Sequence, residues 1–274
     1  SGERPEVSDL MRRMLKEDLV RFDETRLFPE RRSFTVGYTL SQPEQALYEA
    51  VTTYVRDEMG RAERLDPNKR VNISFALQIL QRRLASSPEA ILRSLTRRRE
   101  RLELKLKGES LFRIETESLV DPEDLDEDSL FELGSAELEQ LEAQVGGNAS
   151  AARTLSELKE EIMTLSKLER QAHTLRLSEQ DTKWRQLCGL LEDPLMVRGG
   201  KRRQLIIFSE ARDTLNYLVE RIGNFLGRPD KVEVIHGGLS REQRRAVVER
   251  FRYGGDLEVL VANDAAGEGL NLQS

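Results

Sequence analysis

Three short apolar runs near the end of the chain, spaced by helical stretches, constrain the fold more than any other feature. Leu205-Ile206-Ile207-Phe208, Val232 to Ile235 and Leu257-Glu258-Val259-Leu260-Val261 each read as a strand. Asp213 to Ile222 reads as a helix between the first two. Ser240 to Arg252 reads as a helix between the second and third, opened by the capping box Ser240-x-x-Gln243. Strand, helix, strand, helix, strand at this spacing predicts βαβ units and a parallel sheet. Right-handed crossovers then set the loops that follow the strands along one sheet edge, where ligands bind in open α/β sheets.

The sequence before these runs is helical in grammar. Ser8 to Val20 predicts a helix, and Arg32 to Leu40 alternates with strand period, Phe34, Val36, Tyr38 and Leu40 on one side. Ser41-Gln42-Pro43-Glu44 is a capping box ahead of an apolar stripe (Ala46, Leu47, Ala50, Val51, Tyr54, Val55). Two further helices are predicted, Asn72 to Ala85 and Pro88 to Lys107, the second started by Ser87-Pro88-Glu89-Ala90. A long helix is expected from Ala149 to Ser178, with Leu155, Leu158, Ile162, Leu165, Leu168 and Leu175 near heptad spacing. Such a lone stripe points to packing within the chain ahead of a dimer zipper. A helix carrying Trp184, Leu187, Leu190 and Leu191 leads to Gly199-Gly200, with Trp184 read as a packing residue.

Charge bears on the choice of partner. The 274 residues carry a net −6, which at first argues against nucleic acid. Residues 109–145 hold thirteen acids and one base, a local −12, so the rest of the chain is at +6. That window is expected to be a poorly ordered or loosely docked acidic insertion. One cysteine, Cys188, excludes an intrachain disulfide and fits a reducing, cytoplasmic compartment. Two histidines and one cysteine exclude a His-rich metal site, so no metal site is expected, and no apolar run is long enough to span a membrane.

The last strand leads into Asn263-Asp264-Ala265-Ala266-Gly267-Glu268-Gly269-Leu270-Asn271. Its small residues let another chain come close, and its short polar groups suit a phosphate or a ribose hydroxyl. Alone, such a loop is only a turn; its order relative to its neighbours makes it specific. Gln204 to Leu215 resembles motif IV of superfamily two helicases. Ile235-His236-Gly237-Gly238-Leu239-Ser240 with Glu249-Arg250-Phe251 resembles the next block, and Asn263 to Leu272 resembles motif V. Leu10-Met11-Arg12-Arg13, Phe28-Pro29-Glu30 and Ser41-x-Pro-Glu44-x-x-x-Tyr48 resemble the Swi/Snf-like branch of that superfamily.

The resemblance implies an α/β fold: an incomplete RecA-like parallel sheet with flanking helices, plus a large helical insertion. It divides the chain into an inter-lobe linker helix and first strand (1–40), a helical part of the second lobe (41–107), the acidic insertion (108–148), a long helix and connector (149–192) and the lobe proper (193–274). The function implied is the second motor lobe of a DNA translocase or helicase. Its partners would be double-stranded DNA and an N-terminal RecA-like lobe. ATP and Mg2+ would be cofactors of the full-length protein, with none bound by this piece. The chain has no Gly-x-x-x-x-Gly-Lys-Ser/Thr and no Asp-Glu-x-His, and it ends before motif VI. No ATP hydrolysis is therefore expected of it alone, and no catalytic residue is assigned.

Carried over by motif, Ser209, Glu210, His236, Gly237, Gly238 and Asn263 would lie on the nucleic-acid side, and Gly267, Gly269 and Asn271 would couple it to ATP. Ala266 stands where the family often has Gly. Asn263-Asp264 replaces a hydroxyl-plus-basic pair, which puts phosphate contact by Asp264 in doubt. His236 is a turn residue or a contact, and Glu210 a solvated helix-start acid or a functional group. Arg93, Arg97, Arg101 and Lys105 recur every four residues, one stripe that is either a solvated face or a duplex contact. The alternative to a motor is a non-catalytic scaffold or DNA-binding adaptor derived from a helicase. A doubly wound nucleotide-binding transferase lacks its Gly-x-Gly-x-x-Gly fingerprint.

Overall fold

The computed structural model describes residues 19, 33–107, 150–198, 201–254 and 257–263. The chain forms two compact units, Ser1–Tyr38 and Thr39–Ser274. The predicted helix at Ser8 to Val20 and the acidic window 109–145 fall outside the described residues, Leu19 apart.

The strand predicted over Arg32 to Leu40 does not form: residues 33–40 are neither helix nor strand. In the first unit Phe34 is 80% exposed and Val36 50%. Alternation supplies a possible apolar face, but a strand also needs a neighbour to take its N–H and C=O groups. No described strand pairs with this segment.

The second unit has a helical layer and an α/β layer. In the helical layer α1 spans Gln42–Ala62, α2 Pro67–Ser86, α3 Pro88–Leu106 and α4 Leu155–Leu177. The capping box of α1 forms as predicted, with Glu44 accepting from the Ser41 N–H at 2.6 Å. Pro67 opens α2 five residues before the expected Asn72, because a proline in the first turn gives up only an N–H that the helix would leave unused. Ser87 caps α3 by accepting from Ala90 N–H at 3.1 Å. Thr154 and Glu157 form a capping box that starts α4 six residues after the expected Ala149. The leucine stripe of α4 packs within the chain: Leu158, Leu165, Leu168 and Leu175 join Leu47, Val51, Leu77, Ile91 and Leu95 in one core.

That core encloses charge. Tyr54 donates to Glu161 at 2.8 Å, Arg98 donates to Tyr54 Oη at 2.7 Å and to Glu161 at 2.9 Å, and Ser150 donates to the other Glu161 oxygen at 2.6 Å. Glu58 lies beside them, paired with Arg61 at 3.0 Å. Burial first, then the Glu161 charge, pushes the Glu58 carboxyl up to about 7.

The α/β layer comprises α5 (Thr182–Glu192), a small antiparallel hairpin β1 (Val197–Arg198) and β2 (Lys201–Arg202), then β3 (Leu205–Phe208), α6 (Arg212–Leu226), β4 (Val232–Ile235), α7 (Arg241–Glu249) and β5 (Val259–Ala262). The three-stranded sheet is parallel in the order β3-β5-β4, with Leu205 and Val232 both in register with Val259. This is the expected α/β class, an incomplete RecA-like sheet joined to a large helical region. Strand alternation puts Val259 and Val261 against Trp184, Leu215 and Ile222 on one face; Leu260 and Ala262 meet Val247 and Phe251 on the other. Trp184 is a packing residue, edge-on to Phe225 with ring centroids 5.9 Å apart and with the Arg221 guanidinium 4.5 Å from its own centroid. α7 is shorter than predicted; from Arg250 to Gly254 the chain widens into a π turn that buries Phe251.

Candidate nucleic-acid interface

A parallel sheet with right-handed crossovers brings the residue after each strand to one edge. Here those residues are Ser209, His236 and Asn263. The ladder extends one step past the strands: Ser209 N–H donates to Ala262 O at 2.9 Å, and Asn263 N–H to Ile235 O at 3.2 Å. Backbone bonds thus hold Ser209, His236 and Asn263 at neighbouring strand ends. Asn263 is 4% exposed. Asp264 and the remaining motif V residues, Gly267, Gly269 and Asn271 among them, lie outside the described residues.

His236 makes two hydrogen bonds of the turn that follows β4. It is 8% exposed; its carbonyl accepts from Leu239 N–H at 3.1 Å and its Nδ1 accepts from Gly238 N–H at 3.1 Å. A neutral ring with the proton on Nε2 is the form that can accept there. Burial, and then the positive charge of Arg212, hold its protonation below the usual histidine range. A Cβ added at Gly238 would stand 3.1 Å from His236 Nδ1 and 3.7 Å from Arg212 Nη1, so glycine allows this close approach. Gly237 completes the turn. Ser240 and Gln243 then form the predicted capping box of α7.

Glu210 is half-buried just ahead of α6. Its carboxylate pairs at 3.0 Å with Arg82 of α2. It belongs to a seam between the layers that also holds Arg97 against Asp213 at 3.0 Å and the hydroxyls of Ser86 and Ser87 against Thr214 at 2.7 and 2.8 Å. Glu44 accepts from both the N–H and the hydroxyl of Thr182, at 2.9 and 2.5 Å. Burial pushes that carboxyl up, but the hydrogen bonds from Thr182 and Ser41 outweigh it and leave it below its ordinary value. A cleft of about 290 Å³ opens along the seam next to Ser209, lined also by Ser87, Lys183, Trp184, Phe208 and Thr214.

The predicted cationic stripe on α3 is not a uniform solvated face. Arg93 pairs with Glu89 at 2.8 Å and Arg97 with Asp213; Arg101 is half-buried, and Lys105 is exposed. Sequence reasoning missed Arg82, Asp213 and Arg212. Arg82 and Glu210 are 128 positions apart, and no local pattern joins them. Arg212 could have been found, because it directly follows the turn already singled out. Among the described residues no group of three His, Cys, Asp or Glu could hold a metal ion, and no helix is long and apolar enough to cross a membrane.

Compared with known families, the chain matches the helicase conserved C-terminal domain over residues 182–274. No curated protein matches it. The matched segment begins at Thr182, the first residue of α5, and takes in the whole parallel sheet. The match supports a helicase C-terminal, RecA-like lobe over residues 182–274.

Proposed function

We propose that this chain is the second motor lobe of an ATP-dependent, Swi/Snf-like DNA translocase, with the strand-end edge of its sheet turned toward the nucleic-acid backbone. The observation that carries the reading is the alignment of Ser209, His236-Gly237-Gly238 and Asn263 along one edge, within a segment that matches the helicase C-terminal domain. Phosphate contacts come from backbone N–H groups, short polar side chains and cations, and they fix register without reading sequence. A translocase needs that kind of contact, because it must hold any sequence it passes.

In this reading the partners are duplex DNA and an N-terminal RecA-like lobe. Closure of the two lobes shifts this lobe along the phosphates of one strand. ATP and Mg2+ supply the driving reaction between the lobes. The described residues of the strand-end edge are assigned to the track and not to the nucleotide. Gly267, Gly269 and Asn271 are assigned the coupling role.

The test is ATP turnover by the protein carrying both lobes, with and without duplex DNA. Duplex should stimulate turnover, and Asn271→Ala should remove the stimulation while basal turnover persists. No stimulation of the unaltered protein would overturn the translocase reading.

A further inference from the structure

We propose that an apolar groove between α1 and α4 is a docking site for the chain's own acidic segment, with residues 121–133 as the occupant. The inference is separate from the function proposed above. The groove has a volume of about 480 Å³. Pro43, Ala46 and Leu47 of α1 and Leu175 of α4 supply apolar lining. Lys167 and Arg170, about one turn apart on α4, border it and are exposed. Among the described residues the lining contains no acid, and neither cation pairs with an acid elsewhere. A concave apolar surface bordered by cations fits a segment that carries apolar side chains and acids together.

Residues 121–133 have that composition: seven acids, no base, and the large apolar side chains Leu125, Leu130, Phe131 and Leu133. Chain connectivity allows the reach. Arg98 meets Glu161, Arg99 meets Glu169 and Arg176 meets Glu89, so α3 and α4 run antiparallel. Lys107, after α3, and Ser150, before α4, therefore lie toward the same end of the helical layer. The groove lies toward the other end, where Leu175 is about 30 Å along α4 from Leu155 at about 1.5 Å per residue. Seventeen residues stand between Lys107 and Leu125, and sixteen between Leu133 and Ser150. Either stretch can span about 50 Å when extended, which covers the distance. Attachment at both ends gives the segment a high effective concentration at the groove, so modest contacts suffice. A separate partner or a second copy of the chain would meet the groove without that advantage.

The test is photo-crosslinking of the 274-residue chain carrying Phe131→p-benzoylphenylalanine, with the products mapped by mass spectrometry. Mixing isotopically labelled and unlabelled chains separates links within one chain from links between two. The expected product joins position 131 to residues 43–47 or 167–178 of the same chain. Lys167→Gln with Arg170→Gln should lower its yield several-fold, and Asp126→Asn with Asp128→Asn should do the same. Both cations are exposed, so circular dichroism should show the helices intact in the first pair. Salt that shortens the screening length to about 3 Å should act in the same direction. Links to another surface, such as the α3 stripe, links only between chains, or no link at all would overturn the inference. So would a groove link whose yield ignores both charge variants and salt. The proposed function is read from DNA-stimulated turnover, so it stands or falls apart from these outcomes.

Discussion

The two layers of the second unit differ in the charges they bury. In the helical layer the ionisable groups Glu58, Arg98 and Glu161 sit within helices, each no more than 4% exposed, inside a leucine-rich core. In the α/β layer the buried polar groups lie at ends: Asp181 and Thr182 where α5 starts, Thr214 in the first turn of α6, His236 and Asn263 just past strands. Mid-helix charge can only serve other parts of the same core, and here it fixes how α1, α3 and α4 meet. His236 and Asn263 lie side by side at one border of the sheet, 8% and 4% exposed. The contrast separates a layer whose buried charges join three helices from a layer whose buried polar groups sit at the ends of elements.

The largest expected effect comes from breaking the helical network. Arg98→Met leaves Glu161 and Tyr54 without their buried donor. Urea unfolding should show a loss of about 3–5 kcal/mol, as for other severed buried pairs. A loss no greater than that of an exposed pair would remove the contrast between the layers.

A smaller effect follows from Glu58, faced by Glu161 from α4, Arg98 from α3, and Arg61 and Asp57 on its own helix. The folded carboxyl keeps its proton up to about 7, against an ordinary value of 4.5. Its stability contribution is therefore full below pH 4.5 and is lost as pH rises through about 7. Glu58→Gln should stabilise the fold by roughly 2 kcal/mol at alkaline pH and change little in acid. A variant whose pH–stability curve parallels the parent's would show that Glu58 is not the group titrating.

The smallest effect belongs to the seam. Arg97 and Asp213 are partly exposed, so a double-mutant cycle with Arg97→Ala and Asp213→Ala should give a coupling of about 0.5–1 kcal/mol. Zero coupling would mean that the layers dock through Thr214 and its serine partners without help from this pair.

Features written in local sequence were legible. The Ser41 and Ser240 capping boxes, the Pro88 helix start, the three strands and their parallel pairing all follow from neighbouring residues and periodicity. The strand predicted at 32–40 shows the limit of that reading, since its alternation says nothing about whether a partner edge exists. The buried Glu58 and Glu161 look like any other acids on charged helices, because only the packing of three helices reveals that both face inward. Of the candidate site, the turns were visible as motifs and their alignment as a consequence of βαβ handedness. The Glu210–Arg82 pair was not, since it depends on how a distant helix docks.

The most direct test of the account is hydrogen exchange of the chain with and without duplex DNA. Backbone amides at 209–212 and 236–239, on the strand-end edge, should be protected on binding, while those at 228–233 at the other end of the strands should not. Protection confined to 228–233, or to the α3 stripe at Arg93, Arg97, Arg101 and Lys105, would contradict the assignment of the nucleic-acid face.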